Sequence, residues 1–225
     1  MSNKVCKNKL VEDLLEVLKS NNIHKRMKKN NANYAIYNWT EYNGKYEGVP
    51  FWSLKALEYY NKTKNGRLVH EHIIPRNIVI SELIRLESIN KDNILDILKK
   101  SCIAAVITKE EDKYINEVRS NNKSLRSIMP IEYHKEIKGK EKYYKEPWAR
   151  YLKSNEYHGN RNDLNKIITI LNIEKEQVEV KLSSEKLNKV KLYEDIKSIK
   201  KNNNLRFDIG IKTLISLNMD ERFKN

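Results

Sequence analysis

Cysteine is almost missing from this chain, and its scarcity closes off two architectures. Cys6 and Cys102 are the only two, too few for a disulfide framework or a four-cysteine zinc site. Cys102 opens an apolar run and reads as a small buried hydrophobe. No stretch approaches the ~20 apolar residues of a membrane span, and the polar, lysine-bearing N-terminal residues carry no signal-peptide core. The expectation is a soluble, cytoplasmic protein with no membrane partner. There is no glycine-rich phosphate loop, since Gly210 stands alone between Ile209 and Ile211. No internal repeat and no Ser/Pro linker is visible. Acid is also in deficit: 44 Lys and Arg face 30 Asp and Glu in 225 residues, a net +14. Such a surplus favours polyanions and phosphate-backbone contact. A general bias toward Lys and Asn would produce the same surplus without serving binding.

The length allows one large domain or two small ones. Leu10, Val11, Leu14, Leu15, Val17 and Leu18 fall at helical spacing over 9–19. A basic, asparagine-rich connector follows from Asn21 to Asn31, with the cluster His24 to Lys29 as a solvated face or a phosphate contact. Residues 34–60 are rich in aromatics, which serve packing or base stacking. Ser53 is placed to cap a helix over 54–60. After the turn at Lys64-Asn65-Gly66, Arg67 to Ile73 suits a strand that Pro75 ends. Two helical stretches follow, at about 77–87 and after a cap at Asp92 or Asn93. Residues 102–107 form a second apolar strand, and Thr108-Lys109-Glu110-Glu111 is a capping-box sequence opening a helix to about Arg119. Residues 120–145 read as loop with short helical pieces. Helices are expected from Pro147 and over 163–171, and a strand over 177–182 before a largely helical remainder.

The densest chemistry lies in Arg67-Leu68-Val69-His70-Glu71-His72-Ile73-Ile74-Pro75. Hydrolysis of a phosphodiester needs an activated water and stabilisation of charge on the phosphoryl oxygens. A histidine can take the water's proton near neutral pH, and a carboxylate can hold a divalent cation. On an extended strand His70 and His72 share one face and Glu71 points to the other. Convergence of Glu71 and His72 on one phosphate therefore requires a bend. His70 remains open between second ligand, phosphate contact and packing residue. His134 and His158 are further imidazoles that could approach in space. An ordinary three-histidine zinc site is disfavoured by the spacing.

Glu71-His72-Ile73-Ile74-Pro75 resembles the Asp/Glu-His-Ile-x-Pro signature that opens the HNH endonuclease, or ββα-metal, motif. The resemblance covers about residues 67–115. It implies a metal-holding role for Glu71 and a general-base role for His72. Asn93-Ile94-Leu95 resembles the family's middle asparagine, a structural position. The family's second metal ligand, His or Asn in the first turn of the closing helix, is absent here, because that turn reads Thr108 to Asp112. Glu111, ahead of Asp112, is the substitute ligand considered, and it is equally the capping-box partner of Thr108.

These observations lead to an α+β, mostly helical fold with an embedded two-stranded ββα-metal-like module, divided as 1–66, 67–120 and 121–225 or forming a single domain. The expected function is metal-dependent endonucleolytic hydrolysis of DNA, of restriction, phage or mobile-element type. Magnesium or manganese is the implied cofactor, DNA is favoured over RNA as partner, and a homodimer is one open assembly. Arg67, Arg76, Lys109 and Arg150 are the candidate substrate-binding residues. Arg150, between Trp148 and Tyr151, is either a phosphate clamp or an arginine whose neighbours pack. The alternatives are a non-catalytic nucleic-acid-binding protein and a phage-type inhibitor with a basic docking surface.

Overall fold

The apolar run near Cys102 becomes the inside of a sheet. In the computed structural model, which describes residues 6–46, 48–63 and 67–172, Ala104–Thr108 is a strand whose five residues are all buried. An unbroken apolar strand suits a sheet covered on both faces. In chain order the described elements are α1 (Lys7–Lys19), α2 (Lys25–Thr40), β1 (Phe51–Ser53), α3 (Leu54–Thr63), β2 (Leu68–His72), α4 (Arg76–Ile84), α5 (Lys91–Ser101), β3 (Ala104–Thr108), α6 (Lys109–Glu117), β4 (Arg119–Ser120), β5 (Lys123–Ser124), α7 (Ile131–His134), α8 (Ala149–Asn160) and β6 (Ile170–Asn172). The fold is α+β and mostly helical.

The main sheet has the order β2-β3-β1-β6. β1 runs parallel to β3, with Phe51 opposite Ala105, and antiparallel to β6, with Ser53 opposite Ile170. The Lys109 N–H donates to the Arg67 carbonyl at 2.8 Å and the Ile73 N–H to the Ile103 carbonyl at 2.9 Å. The residue before each strand thus meets the residue after the other, so β2 and β3 are antiparallel and Glu71 lies opposite Ala105. The expected order of strand, helical insertion, strand and helix is present as β2, α4–α5, β3 and α6. The expected two-stranded module is, however, part of a four-stranded sheet. β1 and β6 have three residues each, too few for a periodicity, and each takes its hydrogen bonds from a strand far away in sequence. The helix expected over 163–171 shrinks to a single 3-10 turn at Leu164–Lys166 before β6.

The chain condenses into two units, each drawing on all three of the expected chain regions. The first comprises Met1–Val49, His72–Ala104 and Ile115–Arg150; the second comprises Pro50–Glu71, Ala105–Tyr114 and Tyr151–Asn225. In the first unit α1 buries Leu10, Val11, Leu14 and Leu18 and packs on α2 and α5. Each such aliphatic side chain contributes about 1.5–3 kcal/mol on burial.

The basic connector expected over 21–31 is mostly helix. α2 begins at Lys25, where the His24 Nδ1 accepts from the Arg26 N–H at 3.2 Å. Its buried stripe is Ala32, Ala35 and Ile36, small residues that give a weak apolar signal. Asn31 and Asn38 return their side-chain amides to the carbonyls of Met27 and Tyr34 at 2.9 and 2.8 Å, which lets asparagine sit in a helix interior. The cap of α5 is Asn90, whose Oδ1 accepts from the Asn93 N–H at 2.8 Å, rather than Asp92 or Asn93. Within the expected loop 120–145, β4 and β5 form a hairpin turning on Asn121 and Asn122 at φ 50° and 62°. Two positive φ values in a row are what a two-residue type I′ turn demands, and asparagine tolerates them.

In the second unit Ser53 ends β1 and caps α3 as expected, its Oγ accepting from the Ala56 N–H at 3.0 Å. The turn at 64–66, the strand expected over 177–182 and the helical remainder lie outside the described residues.

Candidate functional site

β2 carries His70, Glu71 and His72 and ends where the backbone bends at Ile73 and Ile74. Beyond the bend, Ile73, Ile74 and Pro75 are buried, and Pro75 caps α4. A proline suits that place because it has no N–H to lose at a helix start. The strand's last carbonyls leave the ladder here and need new donors.

Arg150 supplies them. Its Nη2 donates to the His72 carbonyl at 2.5 Å and its Nε to the Ile73 carbonyl at 2.8 Å. Its Nη1 donates to Leu125 at 2.8 Å and to Arg126 at 3.4 Å, the two residues that follow β5. Arg150 is completely buried. The expected phosphate clamp is therefore corrected: this guanidinium is a structural fork that holds the exit of β2, and it is not presented to a substrate.

His72 is 9 % exposed. Its ring packs T-shaped against Tyr37 from α2, with centroids 5.7 Å apart and planes at 84°. Arg76, the first residue of α4, lies over the face of the same Tyr37 at 4.1 Å and donates from Nη1 to the Asn33 Oδ1 at 3.0 Å. The sequence offered no signal for Tyr37 or Asn33 beyond the aromatic richness of the region. His70 and Glu71 are half-buried, on opposite faces of the strand.

Glu111 is drawn elsewhere. It is 1 % exposed, and its Oε2 accepts from the Thr108 N–H at 2.9 Å, the Thr108 hydroxyl at 3.1 Å and the Ser53 hydroxyl at 2.5 Å. The Glu111 N–H returns a bond to the Thr108 Oγ1 at 3.1 Å. That is the reciprocal capping box, extended to β1. Burial pushes the Glu111 carboxyl above its ordinary range, against the hydrogen bonds that lower it. Strand order places β3 between β1 and β2, and neighbouring strands lie about 4.8 Å apart. Glu111 thus turns toward β1, away from Glu71, and does not take the second-ligand position expected of it. Asp112 beside it is half-buried.

The remaining residues separate along the strand. Arg67 is exposed, with its guanidinium 5.5 Å from the Tyr59 ring centre and 3.8 Å from Glu110. Lys109 is exposed at the start of α6. Both lie at the start of β2, the end opposite its bend. Asn93 donates its amide to the Ser88 carbonyl at 2.8 Å, which ties α5 to the loop before it. His134 ends α7, its ring 5.2 Å from that of Tyr133. His158 is fully buried in α8, its Nε2 3.0 Å from the Tyr114 carbonyl.

Among the described residues no group of three or more His, Cys, Asp or Glu side chains is placed to hold a metal ion. Of the two carboxylates considered for a magnesium or manganese ion, Glu111 is held in its capping box, which leaves Glu71. Among the described residues no helix is long and apolar enough to cross a membrane. No family model, curated protein or solved structure matches the chain.

Proposed function

We propose that the chain is an endonuclease that hydrolyses phosphodiester bonds in nucleic acid, DNA before RNA, with His72 as the general base. The observation that carries this reading is the antiparallel β2–β3 pair bearing Glu71-His72 just before a bend, with α6 following directly. Imidazole ordinarily accepts a proton near neutral pH, so a positioned histidine can deprotonate an attacking water. His72 is positioned twice: its carbonyl is held by Arg150 and its ring is braced by Tyr37. Arg76, stacked on the same tyrosine ring, is the cation this reading assigns to a charged phosphoryl oxygen. Glu71 keeps the metal-holding role only as the resemblance gives it, and no step above runs through a metal ion.

A second reading, a non-catalytic nucleic-acid-binding protein, is favoured by the low exposure of His72 and by the capture of Glu111 in its capping box. Cleavage of plasmid and oligonucleotide substrates in magnesium, manganese or EDTA, with the intact protein and His72→Ala, separates the two. The nuclease reading expects cutting that the variant loses by at least ~100-fold, the usual worth of a general base. Cutting that survives in the variant moves the active site elsewhere. Binding without cutting under every condition, on single- or double-stranded DNA or RNA, leaves the second reading.

A further inference from the structure

Among the described residues, α2 is the one helix of the first unit with an exposed face built from cations and aromatics and no acid at all. Lys25–Thr40 contains no Asp or Glu, in a chain that carries 30 of them. Its buried stripe of Ala32, Ala35 and Ile36 faces α1 and α4. On the solvent side Arg26, Asn30, Asn33 and Tyr37 recur at spacings of four, three and four, which aligns them along the helix. Lys29 and Tyr34 flank that row and are exposed. Tyr34 is 55 % exposed and Tyr37 37 %, large aromatic areas to leave in water.

A charged helix face alone is usually no more than solvated. Here its far end is organised. Arg76 lies over Tyr37 and is pinned by Asn33, and it makes no ion pair among the described residues. A guanidinium held flat with donors to spare suits a phosphate oxygen. The next exposed aromatic, Tyr34, is one helical turn back, where a base belonging to that phosphate could stack. Bases offer their faces for stacking only when unpaired, whereas a duplex offers phosphates and base edges.

We propose that this face of α2, with Arg76, is the track for a single-stranded or locally unpaired nucleic acid, running from the cationic N-terminal turn to Tyr34, Tyr37 and Arg76. The proposal rests on the nucleic-acid part of the reading above, and not on cleavage.

The test is fluorescence anisotropy in EDTA with a labelled twelve-nucleotide single strand and a blunt duplex of the same sequence, over a range of salt. Single-strand binding should exceed duplex binding. Tyr34→Ala should weaken the single strand about tenfold, the worth of one stacked base, with the duplex affinity and the salt slope unchanged. Tyr34→Phe should restore it. Arg26→Ala should reduce the salt slope by about one for both ligands. Equal affinity for duplex and single strand, or indifference to Tyr34→Ala, overturns the proposal. So does competition by polyglutamate as effective as that by the oligonucleotide, which would mark an acidic protein surface as the partner. A protein that binds as described but cuts nothing loses the nuclease reading alone. One that cuts yet ignores Tyr34→Ala loses this track alone.

Discussion

Replacing Arg150 by methionine should unsettle the first unit more than any surface change. Methionine keeps much of the volume, so the substitution isolates the polar contribution. Three well-formed bonds disappear, to His72 at 2.5 Å, Ile73 at 2.8 Å and Leu125 at 2.8 Å, with a fourth to Arg126 at 3.4 Å. Hydrogen bonds to a charged group are worth about 1.5–3 kcal/mol each, and buried carbonyls left without donors carry the full desolvation cost. The gross loss is about 5–9 kcal/mol, from which the relieved cost of burying the guanidinium is subtracted. A net loss of about 4 kcal/mol remains, a large share of a typical 5–15 kcal/mol. Arg150→Lys should lose about half as much, because one ammonium cannot span two consecutive carbonyls and a third on another segment. With a urea slope near 2 kcal/mol/M, the methionine variant should unfold about 2 M earlier. Urea unfolding followed by tryptophan fluorescence and circular dichroism reads that midpoint. A shift below about 0.5 M would refute the structural fork and reopen Arg150 as a ligand-binding residue. Since the His72 carbonyl is one of the released groups, Arg150→Lys should also slow any cleavage that depends on His72.

Three further outcomes follow from the same geometry. Glu111→Ala should cost at least about 3 kcal/mol, because it leaves three buried donors from Ser53 and Thr108 unpaired at about 1–3 kcal/mol each, while Glu111→Gln keeps the acceptor for Thr108 and should cost far less. Burial holds the Glu111 carboxyl above its ordinary 4.5, so the folded state binds the proton more tightly. The contribution of this group to stability is therefore full below pH 4.5 and declines as pH rises through the raised value, and Glu111→Gln should flatten that decline. Glu82 and Glu146 are raised by burial in the same sense and should keep part of the slope; a slope identical in both proteins would show that Glu111 does not titrate as described. Native protein should yield one thiol rapidly to a disulfide reagent and two after unfolding, because Cys6 is exposed and burial holds the Cys102 thiol well above its usual range. Gly48→Ala should cost about 2 kcal/mol, since the new Cβ would stand 2.3 Å from the Asn43 Cβ and 2.5 Å from that residue's backbone, and overpacking of this kind costs about 1–3 kcal/mol; an unchanged urea midpoint would refute it.

What could be read from the residues was whatever local chemistry decides. The caps at Ser53 and Thr108 and the apolar strand, expected over 102–107 and found at Ala104–Thr108, follow from side chains within four positions of one another. So do the amphipathic face of α1 and the bend before Pro75. What could not be read depends on partners distant in sequence. β1 is a strand only because Ala105 and Leu171 lie beside it, and nothing in Phe51-Trp52-Ser53 announces them. α2 gives a weak signal because its buried stripe is mostly alanine, and its asparagines are satisfied by carbonyls one turn back.

The candidate site divides along the same line. His70-Glu71-His72 and the bend after it were legible, because alternation on a strand and a following proline are local facts. The fate of Glu111 was not, although both of its readings were. A capping box and a metal ligand use the same carboxylate in the same turn, and the sequence weighs them equally. The outcome is decided by Ser53, fifty-eight positions earlier, which adds a buried donor to the two from Thr108. Three donors on one oxygen, in a site sealed from water, make the capping geometry costly to abandon. A carboxylate that was to turn toward Glu71 would have to leave all three unpaired, at about 1–3 kcal/mol each. A cation at β2 would therefore have to draw its ligands from groups other than Glu111. The same reasoning separates the two arginines beside His72. Arg150 is committed to carbonyls, so Arg76 is the cation with donors left for a phosphate.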